Sequence, residues 1–216
     1  MNKLIISIGI AFFLILFSCK NQSSESSEGY LNLNIPKDIP TYKNGKPRSF
    51  YSNKALVETK LGLNSLENGF DSICLRFWYG YSNLDRGQLL ILKNIGGKWS
   101  GQLINFQYHF NKGGDSISNI SKDVQDIRPK SGWGFIVSKL KDLAIADLPD
   151  DINIQGYQRV ADGNTLIIET STKTNYRIFS YKEPSIAART CGEAGRIVEW
   201  LNLMKEQFDY KQLQEM

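Results

Sequence analysis

Between Phe70 and Phe110 the chain carries three runs in which apolar side chains recur at every second position, and that period of two demands a sheet. In the first run Ile73, Leu75, Phe77, Tyr79 and Tyr81 alternate with Cys74, Arg76, Trp78 and Gly80. Gln88–Lys93 is the second run; the turn Asn94-Ile95-Gly96-Gly97 joins it to a long third run, Lys98–Phe110, as a hairpin. In the third run the apolar positions are Trp99 and Leu103, then Ile104, Phe106, Tyr108 and Phe110, so the parity changes at 103/104. A β-bulge is expected there, because one inserted residue moves every later side chain to the other face.

Two more strands are predicted at Thr165–Thr170 and Asn175–Tyr181, on either side of Ser171-Thr172-Lys173-Thr174. Period 3.6 replaces period 2 in two places. Trp133, Ile136, Val137, Leu140 and Ala144 stripe a helix beginning at Trp133, with Ser131 as its cap. Ala194, Ile197, Val198, Leu201, Met204 and Phe208 stripe another, which Thr190 and Glu193 open as a capping box. Residues 30–69 hold three of the six prolines and read as loop-rich, with a short helix or strand near Ala55–Leu61. Asn111–Asp126 reads as a loop. The predicted fold class is α+β: a mainly antiparallel sheet of about five strands with two amphipathic helices packed on one face. Residues 30–216 suit a single domain, since domains run to about 100–200 residues.

A different pattern occupies the N-terminus. Lys3 precedes Leu4–Phe17, apolar but for Ser7 and Gly9, which is short of the roughly 20 residues a membrane-spanning helix needs and right for a signal sequence. Leu16-Phe17-Ser18-Cys19 follows, with an aliphatic residue three before the cysteine and a small one just before it. This resembles the lipobox of bacterial lipoproteins. The resemblance implies removal of residues 1–18 and acylation of Cys19, so that the partner of the mature N-terminus is the lipid bilayer. Two or three acyl chains hold a protein stably where one does so marginally. Residues 19–29, rich in Ser, Glu and Asn, read as a lipidated tether. The expected location is the cell envelope, lipid-anchored, at the outer membrane rather than the inner.

The formal net charge of +4 falls by one when Lys3 is removed, and no run of five basic residues exists. That leaves no nucleic-acid footprint. The single histidine, His109, shares its strand face with Asn105 and Gln107 and reads as solvent-facing. One histidine cannot build a multi-histidine metal site, and no nucleophile elbow or zincin motif occurs, so no catalytic residue, metal ligand or cofactor is assigned. The Asp147, Asp150 and Asp151 group reads as a turn whose carboxylates bond nearby backbone. Aromatic side chains at Phe77, Trp78, Tyr79, Tyr81, Trp99 and Tyr108 read as core, or else as a groove for glycan or peptide.

With Cys19 acylated, Cys74 and Cys191 remain as either a disulfide or two buried thiols. A bridge would close more than 100 residues of chain, worth about 4–5 kcal/mol. Arg76, Glu169 and Arg177, inside predicted strands, form a candidate polar cluster, with Arg177 placed opposite Glu169 across the 171–174 turn; a cross-strand pair there is worth roughly 0.2–1 kcal/mol.

Pro129-Lys130-Ser131-Gly132-Trp133-Gly134-Phe135, Ala161-Asp162-Gly163-Asn164-Thr165, and Ile168-Glu169 leading to Tyr176-Arg177-Ile178-Phe179-Ser180-Tyr181 resemble an uncharacterised group of lipoproteins from Bacteroidetes-type bacteria. The resemblance brings no activity or catalytic residue with it. The expected function is a membrane-anchored, non-enzymatic binding or accessory domain with an envelope protein or glycan as partner. The alternatives are an exported inhibitor or immunity-type protein presenting Asn111–Asp126, and a hydrolase built on paired carboxylates.

Overall fold

The computed structural model describes residues 28–80, 85–114, 116–160 and 163–208. Cys19 with its signal sequence and most of the tether, Tyr81, Asp115, Ala161 and Asp162 lie outside these residues. The chain is α+β. Its strands are β1 (Lys37–Asp38), β2 (Ile73–Tyr79), β3 (Arg86–Ile95), β4 (Lys98–Phe110), β5 (Ile117–Ile127), β6 (Thr165–Thr172) and β7 (Tyr176–Lys182). They form one sheet in the order β1-β7-β6-β2-β3-β4-β5. Every neighbouring pair is antiparallel except β1 with β7. The helices are α1 (Ser49–Leu61), α2 (Trp133–Asp142), the short α3 (Pro184–Ala187) and α4 (Gly192–Phe208).

The expectation of about five strands and two helices on one face is corrected by the short extra helix α3 and in three further ways. Asn111–Asp126 is a hairpin tip followed by a full strand: Asn111 N–H donates to Ser116 O at 3.0 Å, and β5 then pairs with β4 over most of its length. Its side chains are mostly exposed, the signature of an edge strand, so the sequence shows no clean alternation. The second correction is β1, two residues long and too short for a period to register.

The third is α1, which makes the short helix or strand expected near Ala55–Leu61 a helix reaching back to Ser49, and which covers the face opposite α2 and α4. Its inward positions are Phe50, Lys54, Val57, Glu58 and Leu61, a regular helical spacing. Two of those five are charged, and an apolar stripe interrupted by Lys54 and Glu58 has no visible amphipathicity. Gly62, in the left-handed conformation (φ 70°), ends α1, with its own N–H and that of Leu63 satisfying the last carbonyls.

Coverage of both faces also explains the parity change in β4. The β3–β4 register runs without interruption from Arg86↔Gln107 to Ile95↔Lys98, and the irregularity lies later, at His109/Phe110. No bulge exists at 103/104. Leu103 instead packs into the core under α2 and α4, whereas Ile104, Phe106 and Tyr108 pack into the core under α1. The covering helices are offset along the strand, so β4 buries one face in its first half and the other in its second. At the first end Gly101 admits the Trp133 indole, which lies where a Cβ would stand, and Trp133 stacks on Trp99 at 6.4 Å.

Helix α2 begins at Trp133 as expected, but Gly132 occupies its cap, and the Ser131 N–H is taken by Gln207 Oε1 of α4 at 2.8 Å. Helix α4 begins at Gly192 rather than Thr190, and Cys191 supplies the cap: Ala194 N–H donates to its sulfur at 3.5 Å, and the thiol donates to Glu193 at 3.3 Å. A disulfide at Cys191 would remove the thiol proton that binds Glu193. None joins it to Cys74, because Cys74 lies in the α1-side core and Cys191 in the core beneath α4, with the sheet between them. The possible bridge is thereby corrected to two buried thiols.

Candidate functional site

The most concentrated chemistry in the molecule lies between α1 and the sheet. Arg76 on β2 and Glu169 on β6 are direct cross-strand partners, and neither is exposed. Alternation points both toward α1, which sets Lys54 and Glu58 against them at 3 % and 4 % exposure. Arg76 Nη1 donates to Glu58 Oε1 at 2.7 Å and lies 4.0 Å from Glu169 Oε2. Arg76 Nη2 donates to Tyr30 Oη at 2.9 Å and to Asn64 O at 2.7 Å. Lys54 Nζ reaches Glu58 Oε2 at 3.0 Å and Glu169 Oε1 at 3.1 Å. Trp78 Nε1 and Tyr176 Oη donate to the two Glu169 oxygens at 2.7 and 2.8 Å.

Two cations therefore face two carboxylates in the interior. A rim pair closes the outer side, where Glu67 contacts Lys54 at 3.3 Å and Lys37 at 3.3 Å. Burial of a charge costs several kcal/mol unless partners and hydrogen bonds replace its water. The arrangement supplies both, and it explains the aromatics: Trp78 and Tyr176 are core residues whose polar tips serve Glu169.

The two acids do not titrate alike. Burial pushes the Glu58 carboxyl up, assisted by the nearby Glu169 charge, to about 7. Lys54 and Arg76, with the Trp78 and Tyr176 hydrogen bonds, outweigh burial at Glu169 and hold it below its ordinary value. Burial, followed by the Glu67 charge and hydrogen bond, raises Tyr51 to about 12.

The sign of the resulting pH dependence follows from linkage. Folded Glu58 holds its proton more tightly than the unfolded chain, so its stabilising effect is complete below about pH 4.5 and is lost as pH rises through 7. Glu169 works in the opposite sense and loses its contribution only in acid, below its ordinary range. Urea denaturation should therefore show the difference in stability between the native chain and Glu58→Gln changing across pH 5–7. A difference that stays constant over that window would contradict the shift.

Arg177 does not join this cluster. Strand β6 runs two residues beyond its predicted end, to Thr172, which sets Glu169 opposite Ile178 and Thr170 opposite Arg177. A register displaced by one residue reverses the face. Arg177 instead donates to Asp38 Oδ2 at 2.8 Å, to Ala146 O, and to Leu148 O at 3.1 Å, tying β7 to β1 and to the chain after α2. The residues missed from sequence are Lys54, Glu58, Glu67 and Tyr30. The available signal was the Lys54–Glu58 pair at helical spacing within Phe50, Val57 and Leu61.

Of the aspartate group after α2, Asp147 is exposed, whereas Asp150 and Asp151 are internal. Asp150 Oδ1 accepts from Ile152 N and Arg48, and its Oδ2 accepts from Ser180 N and Oγ. Asp151 accepts from Arg48 at 2.9 Å and from Lys182 N at 3.0 Å. Among the described residues, no group of three or more ligating side chains is placed to hold a metal ion.

His109 is exposed, as expected, and its Nε2 lies 3.0 Å from Ser121 Oγ. Phe77, Trp78, Tyr79 and Tyr108 are buried, and Trp99 is partly so. Comparison with known proteins gives no match, either to a protein-family model or to a curated protein sequence. No described helix is long and apolar enough to cross a membrane.

Proposed function

We propose that this chain is a lipid-anchored cell-envelope domain that holds a partner rather than transforming one. One observation carries the reading: the densest cluster of acids and bases, Lys54, Glu58, Arg76 and Glu169, is at most 4 % exposed. A general acid must come within hydrogen-bond reach of its substrate, roughly 2.6–3.2 Å, and these groups are instead saturated by one another. Their role in this reading is to bolt α1 to the sheet. The exposed faces of the sheet are left for contact, presented at the membrane by Cys19 and the tether.

Acylation of Cys19 supplies the address, at the outer membrane and facing the periplasm or the cell surface. Cys19→Ala should lose incorporation of labelled fatty acid and move the protein from the membrane to the soluble fraction. Unchanged membrane retention with no label in the native chain would defeat the anchor.

A further inference from the structure

Strands β3, β4 and β5 carry a polar face that no helix covers, and its side chains fall into rows across the strands. The register aligns Arg86, Gln107 and Ser121 in one row, Gly87, Phe106 and Lys122 in the next, and Gln88, Asn105 and Asp123 in the third. Alternation sends the outer rows to the open side and the middle row to the α1 side. The middle row behaves accordingly: Phe106 packs in the α1-side core, its ring filling the space a Cβ on Gly87 would need, and Lys122 Nζ reaches Leu61 O at the end of α1. What remains is a trough with two polar walls and a backbone floor. It encloses about 490 Å³, within the range of small-ligand sites.

The side chains on the walls, Arg86, Asn105, Gln107, Ser121 and Asp123, all carry hydrogen-bonding groups. Behind Asn105, Gln88 is buried at 6 % exposure and orients the wall, its Nε2 donating to Asn105 Oδ1 at 2.7 Å. With its carbonyl occupied, Asn105 retains its amino group to donate. His109 steadies Ser121 from behind one wall, and Gln125 donates to Asp123 at 2.9 Å behind the other. Arg86 and Asp123 stand at diagonally opposite corners, on strands separated by two spacings, roughly 10 Å. The charges cancel, so an ion gains nothing there, and they are too far apart for the two ends of one amino acid. An extended peptide would need pockets for its apolar side chains, which these walls lack.

We infer that the trough binds a neutral oligosaccharide, whose hydroxyl groups both donate and accept along its length. The inference rests on the partner-holding reading above and names the chemistry of that partner.

The test is affinity electrophoresis of the full-length chain in detergent, through gels containing dextran, mannan or xylan, with alginate as the anionic comparison. At least one neutral polysaccharide should retard the native chain, with little response to added salt. Gln107→Ala and Asn105→Ala should weaken that retardation ten-fold or more. Leu56→Ala, on the exposed side of α1, should behave as native. Circular dichroism establishes that each variant is folded, and Gln107, being exposed, provides the variant safest for the fold. Three results overturn the inference: no retardation by any neutral polysaccharide, equal retardation of native and trough variants, or retardation by alginate alone. An envelope component that crosslinks to the native chain and to both trough variants alike would sink the oligosaccharide and leave the partner-holding reading standing.

Discussion

Glu169→Gln should cost about 3–5 kcal/mol of stability at pH 7, the usual consequence of removing one member of a buried ion pair. The reason is local. Glu169 is wholly buried and takes contacts from Lys54, Trp78 and Tyr176, with Arg76 at 4.0 Å. The amide leaves the two buried cations facing Glu58, with Glu67 reaching Lys54 only from the rim, and it turns one acceptor oxygen into a donor beside groups that donate. For a domain of this size the loss corresponds to roughly 6–20 °C in Tm.

Glu58→Gln is the informative partner variant. Burial and the nearby Glu169 charge raise the Glu58 carboxyl, so it takes a proton far more readily than Glu169 does and a neutral amide is the smaller change there. Its cost should be about 1 kcal/mol, that of perturbed hydrogen bonds. Urea titrations of both variants at pH 7 check the asymmetry. Equal losses, or a Glu169→Gln loss below about 1 kcal/mol, would show that the cluster does not hold α1 to the sheet in the way described.

Trp200→Ala should be comparably severe, at about 3–5 kcal/mol. Trp200 is completely buried on α4 and lies 5.3 Å from the Phe77 ring, linking that helix to β2. Truncation empties a large volume in the core beneath α4. Trp200→Phe should cost far less. The indole N–H has no hydrogen-bond partner among the described residues, and losing a buried unsatisfied donor offsets part of the lost volume by roughly 1–3 kcal/mol. Denaturation midpoints of the two variants test this; a Phe variant as unstable as the Ala variant would mean that the N–H matters.

The parts of this fold that were legible in the sequence are those buried on one face by apolar side chains alone. Strands β2, β3 and β4 announced themselves by alternation, β6 and β7 by their hairpin, and α2 and α4 by stripes such as Ala194, Ile197, Leu201 and Met204. The illegible parts break that rule for physical reasons. Helix α1 spends two inward positions on Lys54 and Glu58, so its pattern is visible only once Arg76 and Glu169 are known to face it. Strand β5 is an edge with little to bury. The β4 parity change mimicked a bulge because two offset helices cover opposite faces of one regular strand.

The polar cluster was half legible. Arg76 and Glu169 were recognisable as charges inside strands, but a hairpin two residues longer than predicted turned Arg177 away. Nothing in a sequence fixes a register that finely when the turn is Thr- and Asn-rich. The same uncertainty about faces hid the separation of Cys74 from Cys191. The open trough is legible in the sequence only as Asn105, Gln107 and His109 sharing a side, because the third strand that completes it carries no alternation to mark it as a strand.

Crosslinking in living cells tests most directly the claim that this domain holds a partner. A photoreactive benzoylphenylalanine at Gln107, on the open face of the sheet, is compared with the same group at Leu56, on the exposed side of α1. The account predicts a discrete adduct from position 107 that is absent from position 56 and is lost when Cys19→Ala removes the anchor. No adduct from either position, or the same adduct from both irrespective of the anchor, would contradict it.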